Sequence, residues 1–275
     1  MKALFRKFAG GIATACAVLM LAGNGPALAD GMRGSIKDPP KPERRCNLSA
    51  NVALTTEYVF RGFSQTGEGP AVQGGFDVGC GIFYAGVWAS NLDFGGIAGE
   101  DIANIEMDWY LGIKPVTGKI TWDLGVIYYS YPEAFDPGAE LDYVELKVGG
   151  SAEIWKGGTL GFTAFYSPEY TGEVGDVWTF ETAFSQALPA MGRFSPSFSA
   201  LLGYQKGDTA AYQAIFGNGD DSYLYWNAGL TIGFHEKFSL DFRYWDTDIS
   251  NAGGFCDGQL FQCDERFVAT LKFTY

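Results

Sequence analysis

Histidine is nearly absent from this sequence: His235 is the one copy in 275 residues. No G-x-S-x-G, Walker loop, H-E-x-x-H or Cys/His zinc spacing occurs either. The common carriers of nucleophilic, phosphoryl-transfer and zinc chemistry are therefore missing, and no catalytic residue, cofactor or metal is expected. Basic residues are scarce as well, 19 Lys and Arg against 32 Asp and Glu for a net charge of −13. That balance excludes nucleic acid as a partner, and simple charge attraction to anionic lipid with it. Beyond residue 29 no apolar run reaches the roughly 20 residues that a membrane helix needs. Any membrane residence must then use strands, because only helices and closed barrels satisfy their backbone groups in hydrocarbon.

What the chain has in quantity suits strands. Aromatics make up 16% of it and glycine 38 residues, and barrels use both, in interfacial girdles and in tight turns. Lys2, Arg6 and Lys7, the apolar run from Gly10 to Ala22 and the small-residue site Ala27-Leu-Ala29 form a signal peptide over 1–29. The mature chain keeps 16 basic and 32 acidic residues. Residues 30–46, rich in proline and charge, read as a flexible periplasmic lead-in, and 47–275 as one β domain.

The last eleven residues show the pattern most clearly. Phe267, Ala269, Leu271, Phe273 and Tyr275 share one parity, and Val268, Thr270, Lys272 and Thr274 the other, so one face meets oil. A strand ending on an aromatic needs a partner, and a closed barrel supplies one by pairing the last strand with the first. Twelve alternating segments are predicted at 47–61, 71–79, 82–92, 103–115, 120–131, 141–154, 159–168, 177–187, 194–205, 223–234, 238–247 and 265–275. A soluble sandwich would also alternate, but the connections here run long, short, long, short throughout. That is the arrangement of an outer-membrane barrel, with long extracellular loops and short periplasmic turns, and Greek-key sandwiches do not sort their loops this way. The expected fold is all-β: a single antiparallel up-and-down transmembrane barrel of about 12 strands in a Gram-negative outer membrane.

Four cysteines survive cleavage, an even count behind a signal peptide. The up-down topology brings Cys46 and Cys80 to one periplasmic rim, while Cys256 and Cys263 lie in the last extracellular loop; disulfides Cys46–Cys80 and Cys256–Cys263 follow. By parity, the inward side of the strands carries the acids Glu57, Asp77, Glu106, Asp108, Asp123, Glu145, Glu181 and Asp241 and the bases Arg61, Lys147, Arg243 and Lys272. A Lys or Arg facing mid-membrane lipid costs about 2–4 kcal/mol, so these charges must face a lumen or one another. Four bases cannot pair eight acids. The surplus favours a cation-biased aqueous pore, against the alternative of salt bridges that plug a narrow barrel. Tyr128, Tyr129, Tyr131, Tyr166, Tyr170, Tyr244 and Trp245 read as an interfacial girdle. Outer-membrane lipid, lipopolysaccharide, small hydrophilic solutes and the outer-membrane assembly machinery are the expected partners.

Ser49-Ala-Asn-Val-Ala-Leu-Thr-Thr-Glu-Tyr-Val-Phe-Arg-Gly-Phe-Ser-Gln-Thr66 closely resembles the opening of the TorF-family porins of proteobacteria. Pro70-Ala-Val-Gln-Gly-Gly-Phe-Asp77, Phe83-Tyr-Ala-Gly-Val-Trp-Ala-Ser-Asn91 and Ile105-Glu-Met-Asp-Trp-Tyr110 continue the likeness. The resemblance implies an outer-membrane barrel in transport and supplies no solute or catalytic residue. Within its first segment, Arg61 is expected to pair with Glu57 or Asp77 near the mouth. A closed structural or adhesion barrel with acidic loops is the alternative function, and an outer-membrane lipase-like enzyme built on His235 a further one.

Overall fold

The computed structural model describes residues 46–97, 100–135, 140–258 and 262–275; the predicted signal peptide, and the lead-in before Cys46, lie outside them. Twelve strands follow in chain order: β1 (Asn47–Thr55), β2 (Ala71–Cys80), β3 (Phe83–Asn91), β4 (Ile105–Ile113), β5 (Ile120–Ser130), β6 (Tyr143–Trp155), β7 (Gly158–Ser167), β8 (Val177–Ala187), β9 (Phe194–Gly207), β10 (Ser222–Phe234), β11 (Phe238–Thr247) and β12 (Arg266–Thr274). Each pairs antiparallel with its sequence neighbours, and β12 returns to β1, so the sheet closes. Closure runs from Thr55↔Thr270 to Asn51↔Thr274 and is extended by reciprocal backbone bonds between Ala50 and Tyr275. Among the described residues the twelve-stranded wall has no unpaired edge strand, as hydrocarbon requires.

Alternation sets what each face meets. Leu54, Val72, Leu111, Val148, Leu160, Phe162, Leu202 and Phe242 are exposed on the outer wall, a lipid-facing belt rather than a solvent-facing one. Trp155, Phe194 and Phe238 flank it near the short turns, and Tyr128, Trp178 and Phe267 near the long loops. Eleven of the twelve predicted strands lie within two residues of those observed. The exception is the first, which leaves the wall at Thr55, six residues before the predicted end. From there Val59–Phe60 and Phe63–Ser64 form a miniature hairpin with left-handed Arg61 (φ 48°) and Gly62 (φ 92°) at its turn. Two residues with positive φ in a two-residue turn are what a tight hairpin requires. A side chain on Gly62 would also strike Thr247. Alternation could not separate wall from hairpin, because both are extended.

Both disulfides are present. Cys46–Cys80 joins the entry to β1 with the end of β2 at a Cα separation of 4.3 Å, and Cys256–Cys263 closes a short turn of the last loop at 4.8 Å. Val148 lies at the middle of β6 on the lipid side. Val148→Arg is expected to lower stability by about 2–4 kcal/mol, measured as a lower urea midpoint for the barrel folded in phospholipid vesicles.

Candidate functional site

The inward hairpin carries Arg61 away from β1 and across the lumen. Its guanidinium forms a two-pronged pair with Glu145 of β6, at 2.7 Å (Nη1–Oε1) and 2.9 Å (Nη2–Oε2), and stands over the rings of Phe60 and Phe165 at 4.7 and 5.0 Å. The expected pairing of Arg61 with Glu57 or Asp77 is therefore incorrect. Glu57 instead pairs with Arg266, and Asp77 accepts from the Tyr110 hydroxyl. The reason is the same six residues: once Glu57 and Arg61 leave the wall, strand parity no longer governs their neighbours. Arg266 is a fifth inward base that charge counting missed, although it shares the parity of Val268, Thr270 and Lys272.

Around Arg61 the long-loop half of the lumen is filled. Tyr58 and Phe63 of the hairpin, Tyr170 and Val174 of the fourth long loop, Tyr212 of the helix Ala210–Ile215 and the Cys256–Cys263 disulfide are buried with wall residues Tyr129, Tyr143, Tyr223 and Tyr225 in one cluster. Tyr129 stacks on Tyr143 at 4.1 Å, and Tyr143 meets Tyr170 edge-on at 4.8 Å. Tyr223 donates to the Arg61 carbonyl at 3.1 Å, and the Ser64 amide donates to Gln262 of the last loop. Burial pushes the Tyr170 and Tyr212 hydroxyls above the ordinary tyrosine range, so both stay protonated; Tyr212 donates to Gln205 at 3.4 Å, and Tyr170 accepts from Arg61 and Gln205 at 3.5 Å. The aromatic group expected as one girdle is thus divided. Tyr128, Tyr166 and Tyr244 stand on the outward parity, whereas Tyr129, Tyr131, Tyr170 and Trp245 are buried.

Toward the short turns several charged side chains keep partial exposure. Asp123 accepts from Lys147 at 2.7 Å, and both keep some exposure. Arg243 spans Asp241 at 3.0 Å, Asn227 at 2.7 Å and Ser199 at 2.8 Å. Lys272 lies in the field of Asp77. The acids Glu106 and Asp108 of β4 are fully buried toward the plug.

Several acids are satisfied by phenols, alone or beside a base, through one repeated device. Asp77, Gly86 and Tyr110 are direct partners across β2, β3 and β4, and Glu181, Gly203 and Tyr225 across β8, β9 and β10. In each, the tyrosine ring lies over the glycine of the middle strand and its hydroxyl donates to the acid beyond. Tyr84, over Gly112, reaches Asp123 at 2.6 Å in the same manner. A Cβ on Gly203 would stand 2.1 Å from the Tyr225 ring. Glycine inside a strand is the sequence signal for such close approach, and it was available at all three places.

A family model described as a bacterial protein of unknown function, Gcw_chp, matches residues 40–275. The chain belongs to the Gcw_chp family. No curated protein matches it. Among solved structures, this Gcw_chp member is similar to the KdgM porin (TM-score 0.51, 7% identity, 82% of this chain and 99% of that one). It is similar to KdgM in complex with disordered oligogalacturonate (0.50, 6%, 83% and 98%) and to the NanC porin (0.47, 9%, 83% and 98%). At these identities the likeness is one of fold: the Gcw_chp barrel is porin-like.

Two outcomes test the site's architecture. Glu145→Gln strands a buried guanidinium and is expected to cost about 3–5 kcal/mol, most of it recovered by Arg61→Met combined with Glu145→Leu; urea titrations of the three variants measure it. Gly203→Ala displaces Tyr225 from Glu181, with an expected loss of about 1–3 kcal/mol in the same assay.

Proposed function

We propose that this chain is an outer-membrane channel of the porin type, as the TorF-family resemblance implies, passing small hydrophilic solutes or ions with a bias toward cations. The observation that carries the reading is the division of labour in the lumen. The wall presents charged and polar side chains inward along its length, while the obstruction is supplied in large part by loops, above all the hairpin that bears Arg61. A polar-lined wall obstructed largely by loop segments supports gated diffusion. Asp77, Glu106, Asp108, Asp123, Glu145, Lys147, Glu181, Asp241, Arg243 and Lys272 are the proposed pore lining, with Glu57 and Arg61 as lining residues carried on the hairpin. Acids still outnumber bases with Arg266 included, which supports the cation bias and distinguishes this lumen from one suited to a polyanion such as the oligogalacturonate held by KdgM. Export by the signal peptide, insertion by the assembly machinery and loop contact with lipopolysaccharide complete the proposal.

The packed outer half favours a second reading, a closed structural barrel whose acidic loops meet a partner. Planar-bilayer recordings of the refolded mature protein separate the two. Stepwise conductance is expected, with a reversal potential that shifts toward the cation equilibrium in a potassium chloride gradient, and larger steps once residues 57–64 are replaced by a short glycine-serine linker. Silence from both proteins would favour the closed barrel.

A further inference from the structure

The surroundings of Arg61 are those of a receptor for a planar cation. The carboxylate that grips it, Glu145, is a wall residue, and Tyr129 of the wall donates to the same carboxylate at 2.9 Å. The Phe165 ring beneath the guanidinium also belongs to the wall, and Tyr170, whose hydroxyl stands 3.5 Å away, to a neighbouring loop. Behind them lies a carboxyl pair that the arginine does not use, Glu106 and Asp108 of β4, bonded to each other through a shared proton. Neither Asp108 oxygen has a hydrogen-bond partner among the described residues beyond its fellow carboxyl Glu106, and Asp108 is fully buried. The fit is also incomplete on the cation's side, since the Arg61 Nε–H has no partner among the described residues. Arg61 reaches this position from a left-handed backbone conformation (φ 48°), which a non-glycine residue rarely adopts without compensation.

We propose that this cage is a guanidinium-binding site of the channel lumen, and that the chain's own Arg61 occupies it as a tethered stand-in for a solute bearing a guanidinium group. A forked carboxylate matches the planar N–H pair, and an aromatic face suits a weakly hydrated flat cation. A spherical alkali ion can use the charge but not the planarity, and a carboxylate solute is repelled. When the hairpin leaves, the vacated cage is the narrow, acidic place where such a solute binds in transit. The inference rests on the channel reading and names the class of solute at its constriction.

Chemical rescue tests it with the full mature barrel. Wild type, Arg61→Ala and Arg61→Ala with Glu145→Gln are refolded. Thermal unfolding, read by heat-modifiable gel mobility, is then followed with millimolar guanidinium chloride against potassium chloride of equal ionic strength. Guanidinium is expected to raise the transition of Arg61→Ala alone, and to block its potassium current at a concentration about tenfold lower than for the double variant. Equal responses in all three proteins, or equal responses to both salts, overturn the site. Should Arg61→Ala not fold, Arg61→Gln takes its place. Wild-type liposomes supply an independent measurement: entry of arginine about tenfold faster than glutamine supports the site, and entry of both at the same measurable rate overturns it. Stabilisation by guanidinium in a barrel that never conducts would leave the site standing and remove the channel. Current without guanidinium sensitivity would do the reverse.

Discussion

Backbone hydrogen bonding is the constraint on which the rest of this molecule depends. In hydrocarbon an unpaired amide or carbonyl has no water to turn to, so a membrane-crossing sheet must close. Here closure falls on five residues of β12, Thr270 to Thr274, against Asn51–Thr55 of β1, and the reciprocal bonds between Ala50 and Tyr275 extend it by one pair. Once the ring is closed, strand parity is no longer negotiable. A slip of one residue anywhere would turn the lipid face of a strand into the lumen. The disulfide at Cys46–Cys80 fastens the first two strands at the rim where that register begins.

A closed ring then creates a second demand, because its interior has to hold the polar half of every strand. Twelve strands enclose more space than eight, which wall side chains fill unaided, and less than the open lumen of sixteen. This chain resolves the intermediate case by zones. Toward the short turns, the acids of charged pairs such as Asp123–Lys147 and Asp241–Arg243 keep partial exposure. Toward the long loops, the hairpin and three further loops descend onto the wall tyrosines to exclude water. The phenol is suited to this boundary: it covers an apolar neighbour with its ring and satisfies a carboxylate with its hydroxyl. Acids that a count of bases leaves unpaired are in several cases partnered in this way.

How far the sequence disclosed this arrangement follows from which physics is local. Strand parity is local, and it placed Asp108, Glu145, Glu181 and Asp241 on the inward side; loop lengths and paired cysteines are local too, and the barrel with both disulfides could be read from them. The destination of Thr56 to Ser64 is not local. Its alternation is that of any extended segment, and the Arg61-Gly62 turn that folds it inward can equally end a strand. The partner that decides the matter, Glu145, lies 84 residues away. The tyrosine-glycine-acid rungs fall between these cases, since each component was visible but their alignment needed the register of three strands.

Energetics explain why a plug held by this pair is compatible with movement. Removing two charges from water costs roughly what their attraction returns, so an intact buried pair contributes little net stability even though breaking one side of it is expensive. A hairpin that withdraws Arg61 to water while another cation takes its place at Glu145 exchanges one near-balanced arrangement for another. The wall need not deform, because its backbone bonds are made strand to strand and none depends on the hairpin. Tethering gives Arg61 a local concentration that a free solute must match, but the left-handed turn and the unpartnered Nε–H weaken its hold. Closure by a tethered, imperfectly seated cation is thus a state that a better-seated one can displace.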